Sequence, residues 1–358
     1  MKRYGFLFSL LLPILPLIAL VAGRWFDEAA LFAWLPIAFS FVFLPVIDAA
    51  IGTDNNNPTE SEVNALSRDS FFRYLTLAVV PLQLLNLAVC GYAFVVGEGG
   101  LIGQLGYLLG CGIVSGSTAI TTAHELIHKP GRLEQWSGGF LLASVCYATF
   151  KPEHLYGHHR HVATPADGST ALRGETVYHF VWRALRDNPG RGFRLAAERL
   201  SRRGIDPWSW ANEMLWWTSL SGVFIVLAAV TGGALAVALF LGQAFVAVCL
   251  LEIINYVEHY GLMRERDSNG RYERISPRHS WNANHLVTNL FLFQLQRHSD
   301  HHANGSRRYQ ALRHFEESPQ LPFGYPTAVL VTLLPPLWFR VMNPRVERHA
   351  AQAVPATT

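Results

Sequence analysis

The sequence predicts an all-α integral membrane protein, a bundle of six transmembrane helices. Three observations carry this. Half of the 358 residues are apolar and 15% are charged, against about 25% charged in an ordinary soluble domain. The apolar residues are gathered into runs of the length a helix needs to cross a bilayer, about 20 residues. The basic residues are sorted as well. With six spans and the N-terminus in the cytoplasm, 28 of the 29 Lys and Arg fall on the cytoplasmic side and only Arg24 falls outside, as the positive-inside rule requires.

The first span covers residues 5–22. It follows Lys2 and Arg3 and outruns the 7–15 apolar residues of a signal peptide, so it is expected to be retained as a helix. The second covers 30–51. A polar stretch from Thr53 to Pro58 leads to the third, 75–96. The fourth, 101–123, is rich in small residues (Gly103, Gly106, Gly110, Gly112, Ser115, Gly116, Ser117), which let membrane helices approach closely. It is expected to pack centrally. Residues 124–213 are polar with short apolar patches. Trp136 to Phe150 is too short to span and is expected to be re-entrant or to lie flat. Spans five and six, 214–233 and 234–256, meet in a tight hairpin at Thr231-Gly232-Gly233. The remainder, 257–358, is a second polar region. Residues 1–345 read as one membrane domain and 346–358 as a disordered tail.

Composition excludes several classes. The cysteines Cys90, Cys111, Cys146 and Cys249 stand singly in apolar stretches, so neither a zinc ribbon nor an iron–sulfur site is encoded. A net charge of +3 with no basic–aromatic pattern gives no case for nucleic acid.

The chemistry lies in histidines. Gln296-Arg-His-Ser-Asp-His-His302 places His298, His301 and His302 within one helical turn, so one face can present three imidazoles to one point. His124 and His128 stand four apart. His154, His158 and His159 follow Glu153, and His259 follows Glu258. Imidazole suits iron, zinc, copper and nickel. Nine histidines exceed the four to six donors that one ion uses, so the count points to two metals. Each would then keep about four or five donors and an open position. A solvated histidine patch or a closed structural site are the bland alternatives. His124-Glu-Leu-Ile-His128 also fits the metalloprotease pattern with Glu125 as base, but that reading leaves seven of the nine idle. Glu125, Glu153, Glu258 and Asp300 are placed to take the outer N–H of bound imidazoles. The other six, His161, His179, His279, His285, His314 and His349, read as surrounding or surface residues.

Taken together, His-Glu-Leu-x-His-Lys, Glu-His-x-x-Gly-His-His, Asn-Tyr-x-Glu-His-Tyr-Gly and Leu-Gln-Arg-His-Ser-Asp-His-His resemble the integral-membrane alkane 1-monooxygenase family over residues 5–345. Arg160-His-Val-Ala-Thr-Pro165 and His279-Ser-Trp-Asn282 extend the likeness. Membrane desaturases are broader relatives. The resemblance implies two non-haem iron ions held by His124, His128, His154, His158, His159, His259, His298, His301 and His302. It implies insertion of one O₂ oxygen into the terminal methyl of a medium- to long-chain alkane, with a desaturase or hydroxylase of fatty-acyl or aromatic substrates as the alternative. It also implies a bacterial inner-membrane location with both termini cytoplasmic. Two electrons are needed, and the chain has no dinucleotide fingerprint and no cysteine pairs. Rubredoxin, reduced by an NAD(P)H-linked reductase, is the implied donor. Arg199, Arg202, Arg203, Arg307 and Arg308 are candidates for docking it. On the second span, Ser40, Phe41 and Leu44 share a face that is expected to line the substrate channel, and Asp48 is an ionisable residue near the membrane boundary.

Overall fold

The computed structural model describes residues 2–353. Among these there is no β-strand, only isolated bridges. Four helices are long and apolar enough to cross a membrane: α1 (Arg3–Trp25), α3 (Ser70–Val96), α4 (Gly100–Ile127) and α7 (Glu213–His259), with the shorter apolar α2 (Leu35–Ile51) beside them. This is a multi-pass, all-helical membrane protein.

Proline shapes the first two helices, because it cannot donate to the helical ladder. Pro13 and Pro16 lie beside tight 3₁₀ turns in α1. In α2, Pro45 cannot bond back to Phe41, and the helix widens into a π turn at Phe39–Phe43, where the Leu44 N–H reaches the Phe39 carbonyl. α4 is the central helix. A Cβ at Gly112 would come within 2.5 Å of Val246, and one at Gly106 within 2.9 Å of Ala33. Only glycine lets α4 sit this close to α7 on one side and to the start of α2 on the other.

α7 is two helices. Gly232 (φ −148°, ψ 15°) and Gly233 (φ 63°, ψ −151°) break it. Phe224 and Phe240 then stack at 5.8 Å across the break, where a straight helix would hold residues 16 apart at about 24 Å. The chain therefore folds back on itself at the glycines. Below the membrane-crossing part, α5 (Arg132–Ala143) folds back against the end of α4. It buries Leu141 and Leu142 completely and hands the Ala143 carbonyl to Ser221 of α7 at 2.8 Å. The Trp136–Phe150 stretch is thus the end of this short helix, up to Ala143, followed by turns.

A buried polar net ties these helices together. Gln83 Nε2 of α3 donates to Ser115 Oγ of α4 (3.0 Å) and Ser144 Oγ (3.3 Å), and Gln243 Nε2 of α7 donates to the Ser144 carbonyl (3.0 Å). Amides placed in hydrocarbon must find such partners, so the net also selects the pairing of helices. Asp48 has a structural task. Its carboxylate accepts from the Thr288 N–H at 3.0 Å and from the Thr288 hydroxyl, anchoring α2 to α8 (Leu286–Phe291).

The chain end differs from the expected disordered tail over 346–358. Helix α10 (Pro335–Ala353) continues through it. Val346 packs against Gly261, Glu347 pairs with Arg173, and His349 Nε2 donates to the Arg278 carbonyl at 2.9 Å. Each partner lies 70 to 175 residues away in sequence, so no local pattern announces the helix. Residues 354–358 lie outside the described residues.

Candidate metal centre

Four segments bring nine imidazoles to one end of the bundle. α4 carries His124 in its last turn, with His128 capping it, and α7 ends at His259. Glu153–His158 forms a π turn, and α9 (His298–Ala303) carries the last three. The imidazoles sort into two groups whose candidate donor atoms lie within 4.8 Å of one another. One is His124, His128, His154, His159 and His301, and the other is His158, His259, His298 and His302. Helix geometry explains the sorting. A π turn stacks residues five apart, so His154 and His159 face each other at 3.0 Å between Nε2 atoms while His158 turns to the other group. In α9 residues four apart align, so His298 and His302 meet at 2.9 Å and His301 points to the first group. The three histidines of α9 therefore serve two points, not the single one that helical spacing alone predicts.

The donor set fits a pair of metal ions. Nε2 of His159 lies 3.0 Å from Nε2 of both His154 and His301, and Nε2 of His302 lies 3.2 Å from His158 and 2.9 Å from His298. A ring nitrogen carries at most one proton, so a closed set of such contacts cannot all be hydrogen bonds. Two imidazoles bound at right angles on one ion, with metal–nitrogen distances of about 2.1 Å, would stand about 3.0 Å apart. Nε2 of His124 is buried with no hydrogen-bond partner, as a nitrogen aimed at a cation would be. Burial, followed by the neighbouring imidazoles, holds the pKa of His128, His154, His298, His301 and His302 well below the ordinary value. Each is then neutral at pH 7, the form that binds a metal. In His158 burial acts in the same direction, but Asp167 outweighs it and raises the pKa.

The four expected carboxylates divide. Glu258 stands in the second group, with Oε2 3.2 Å from His298 Nε2 and Oε1 accepting from the Tyr325 hydroxyl at 2.7 Å. Glu125 instead pairs with Lys129 at 3.0 Å and accepts from the Tyr309 N–H. Asp300 takes Arg307 at 2.6 Å, Asn304 at 2.7 Å and the Arg313 N–H at 2.8 Å, which anchors α9 without touching an imidazole. Glu153 faces Arg191 at 3.9 Å, and burial, aided by Asp167, pushes its pKa up to about 8. The carboxylate that does take an outer imidazole N–H is Asp167. Its Oδ2 lies 2.9 Å from His158 Nδ1, and Ser169 N–H and Thr170 Oγ1 hold it in place. Sequence reasoning passed over it because it sits in a loop nine residues from His158. The Pro165-Ala-Asp-Gly168 turn is its only local mark. Removing an outer partner of a bound imidazole typically costs 10–100-fold in metal affinity. Asp167→Ala is expected to weaken binding by about that factor, read by metal competition with a chelator. Unchanged affinity would leave Asp167 as a loop anchor.

Beside the histidines lies an elongated apolar cavity of about 790 Å³ of atom-free space, its mouth included. Ser40, Phe41 and Leu44 of α2 line it, as do His124 and His154 of the first group and His298 and Glu258 of the second. Two of its walls are π turns, Phe39–Phe43 and Ser115–Ile120, local widenings that often mark functional sites.

Apolar helices that lead into two closed sets of imidazoles, with an apolar cavity touching both, define a histidine-rich metal-binding membrane protein. The fatty acid desaturase family matches residues 101–329. Alkane 1-monooxygenase 2 of Pseudomonas aeruginosa (strain PAO1) is 46% identical over 357 residues, covering 98% of this chain and 94% of that one. Alkane 1-monooxygenase 2 of Alcanivorax borkumensis (strain SK2) is 46% identical over 352 residues, 98% and 92% of the two chains. Alkane 1-monooxygenase of Acinetobacter baylyi is 39% identical over 351 residues, 97% and 86%. The chain belongs to the alkane 1-monooxygenase family.

Proposed function

We propose that this enzyme hydroxylates the terminal methyl of n-alkanes. The observation that carries the reading is the apolar cavity whose wall includes imidazoles from both groups. An unfunctionalised chain can be held only by burial of its methylenes, at about 0.8 kcal/mol each. A cavity without charged groups along α2, ending at the histidines, does that. His124, His128, His154, His159 and His301 would hold one iron, and His158, His259, His298 and His302 the other. When bound, the metal pair supplies the redox chemistry of RH + O₂ + 2 e⁻ + 2 H⁺ → ROH + H₂O. The chain's own residues do the rest. The apolar cavity wall keeps bulk water out and orients the methyl, Asp167 fixes the His158 ring, and Tyr325 holds Glu258 toward the second group.

The reading places one membrane domain over 1–345 in the bacterial inner membrane. The two arms of α7 and the shorter α2 complete six spans, with both termini cytoplasmic. The histidines then sit at the cytoplasmic mouth, where alkane arrives from the bilayer and electrons from the aqueous side. Rubredoxin, reduced by its NAD(P)H-linked reductase, is the proposed donor. Arg307 and Arg308 leave the set of docking candidates, since they are committed to Asp300 and Glu134, at 2.6 and 2.8 Å. Arg202 and Arg203 are exposed, and Arg199 stacks on Tyr156 at 3.7 Å, inside the π turn that carries His154 and His158. That contact joins this surface to the centre.

The test is the metal-loaded protein with octane, O₂, reduced rubredoxin and its reductase. About two irons per chain and 1-octanol as product are expected, and octene without octanol, or ring hydroxylation of added toluene without octanol from octane, would overturn the assignment. In the same assay, charge reversal at Arg199, Arg202 and Arg203 is expected to slow the donor-dependent rate and flatten its salt dependence. An unchanged salt profile would move the docking face elsewhere.

A further inference from the structure

Several buried carboxylates lie outside both histidine groups, and one of them stands on α7. Glu252, on the second arm of that helix, is 1% exposed, and among the described residues it has no cationic partner. An acidic residue within a membrane-crossing helix is costly and marks ion or proton pathways more often than structure. One neighbour of Glu252 is suited to proton transfer, and amides flank it. The Tyr147 hydroxyl donates to Oε1 at 2.8 Å, and Asn255 Nδ2 donates to Oε2 at 3.0 Å. Asn188 of α6 (Val177–Ser201) is buried. On the inner side, Asn255 and Leu251 line the same cavity as His124, His154 and His298. On the outer side, Asn188 is buried, and its α6 neighbours Asp187 and Arg186 pair at 2.8 Å on the open face of that helix. Glu252 thus stands between a surface helix and the cavity, about one helix diameter from solvent.

We propose that Tyr147 and Glu252 form a proton relay that feeds the cavity beside the metal centre. The inference rests on the hydroxylase reading, whose reaction consumes two protons at a site walled by apolar side chains. In each passage the Glu252 carboxylate takes the Tyr147 hydroxyl proton at Oε1 and releases a proton from Oε2 to a water admitted beside Asn255, and Tyr147 is reprotonated from the aqueous side. Both groups return unchanged, while the proton ends in the water formed from O₂. The electrons come from the one-electron protein donor already required. Glu252 touches no substrate and is a relay residue, not a catalytic one.

The test uses the metal-loaded enzyme with Glu252→Gln, Glu252→Asp and Tyr147→Phe. Removing a positioned proton-transfer group typically costs about 10²-fold. Glu252→Gln is expected to lose turnover on that order, with a larger solvent deuterium isotope effect and more reducing equivalents consumed per 1-alkanol. Its metal content and product identity stay those of the wild type. Glu252→Asp, which keeps the carboxyl, recovers most of the rate, and Tyr147→Phe, which keeps the ring packed, falls between. Wild-type turnover, coupling and isotope effect in metal-loaded Glu252→Gln would overturn the relay. So would loss of metal in both Glu252 variants, which would make the carboxylate structural. Octanol formation by the unmodified enzyme in parallel separates either failure from failure of the hydroxylase reading.

Discussion

Alanine at His298 or His302 is expected to strip one of the two metals and abolish turnover. Both rings belong to the four-membered group, where His302 Nε2 lies within 3.2 Å of His158 and 2.9 Å of His298. A four-donor site of roughly 10–16 kcal/mol, shared evenly, gives each imidazole about 3 kcal/mol or more, over about 100-fold in affinity. Three donors hold a metal less tightly than four. The other group has five members, so His301→Ala leaves four. It is expected to keep more of its metal while still losing turnover. Metal-to-protein stoichiometry beside 1-alkanol formation reads both effects. Full activity in any of the three variants would remove the nine-histidine assignment. His349→Ala is the internal control and should be silent, because that ring hydrogen-bonds the Arg278 carbonyl and belongs to neither histidine group.

Tryptophan at Ser40 is expected to shorten the longest alkane accepted. Ser40 is 6% exposed, its hydroxyl has no hydrogen-bond partner, and it lines the apolar cavity with Phe41 and Leu44. An indole there takes space that methylenes would otherwise fill. At about 0.8 kcal/mol per buried methylene, excluding four of them costs roughly 3 kcal/mol, or about 200-fold in kcat/KM for the longest substrates. Alkanes short enough to end before α2 should react as before. Ser40→Ala, which removes only an unpartnered hydroxyl, should leave the profile alone. The measurement is the alkanol yield across a series of chain lengths. An unchanged cutoff in a folded, metal-loaded Ser40→Trp protein would make this face a helix contact and nothing more.

Much of this protein was legible in one dimension, because the physics that writes it is local. A bilayer demands apolar runs of fixed length, so the membrane class can be read directly, and the glycine pair at 232–233 marked the fold-back between two arms. Metal chemistry demands imidazoles at short spacings, so the nine histidines could be picked out by motif. The shared face of Ser40, Phe41 and Leu44 follows from helical periodicity.

What spacing could not decide is where each ring points in three dimensions. A five-against-four division arises because a π turn at Glu153–His158 and an α turn at His298–His302 aim neighbouring residues at different points. Neither turn type has a sequence signature. Long-range partners were equally silent. Asp167 reaches His158 across a loop, Asp300 and Glu125 are drawn off by Arg307 and Lys129, and Arg307 and Arg308 spend their charge inside the fold. Glu252 meets the Tyr147 hydroxyl, 105 residues away in sequence, only through the fold. Which residues could do the chemistry depends on residue type and local spacing, and both are written in one dimension. Which partner each of them keeps depends on packing, because a buried polar group settles with whatever the fold brings within hydrogen-bond reach.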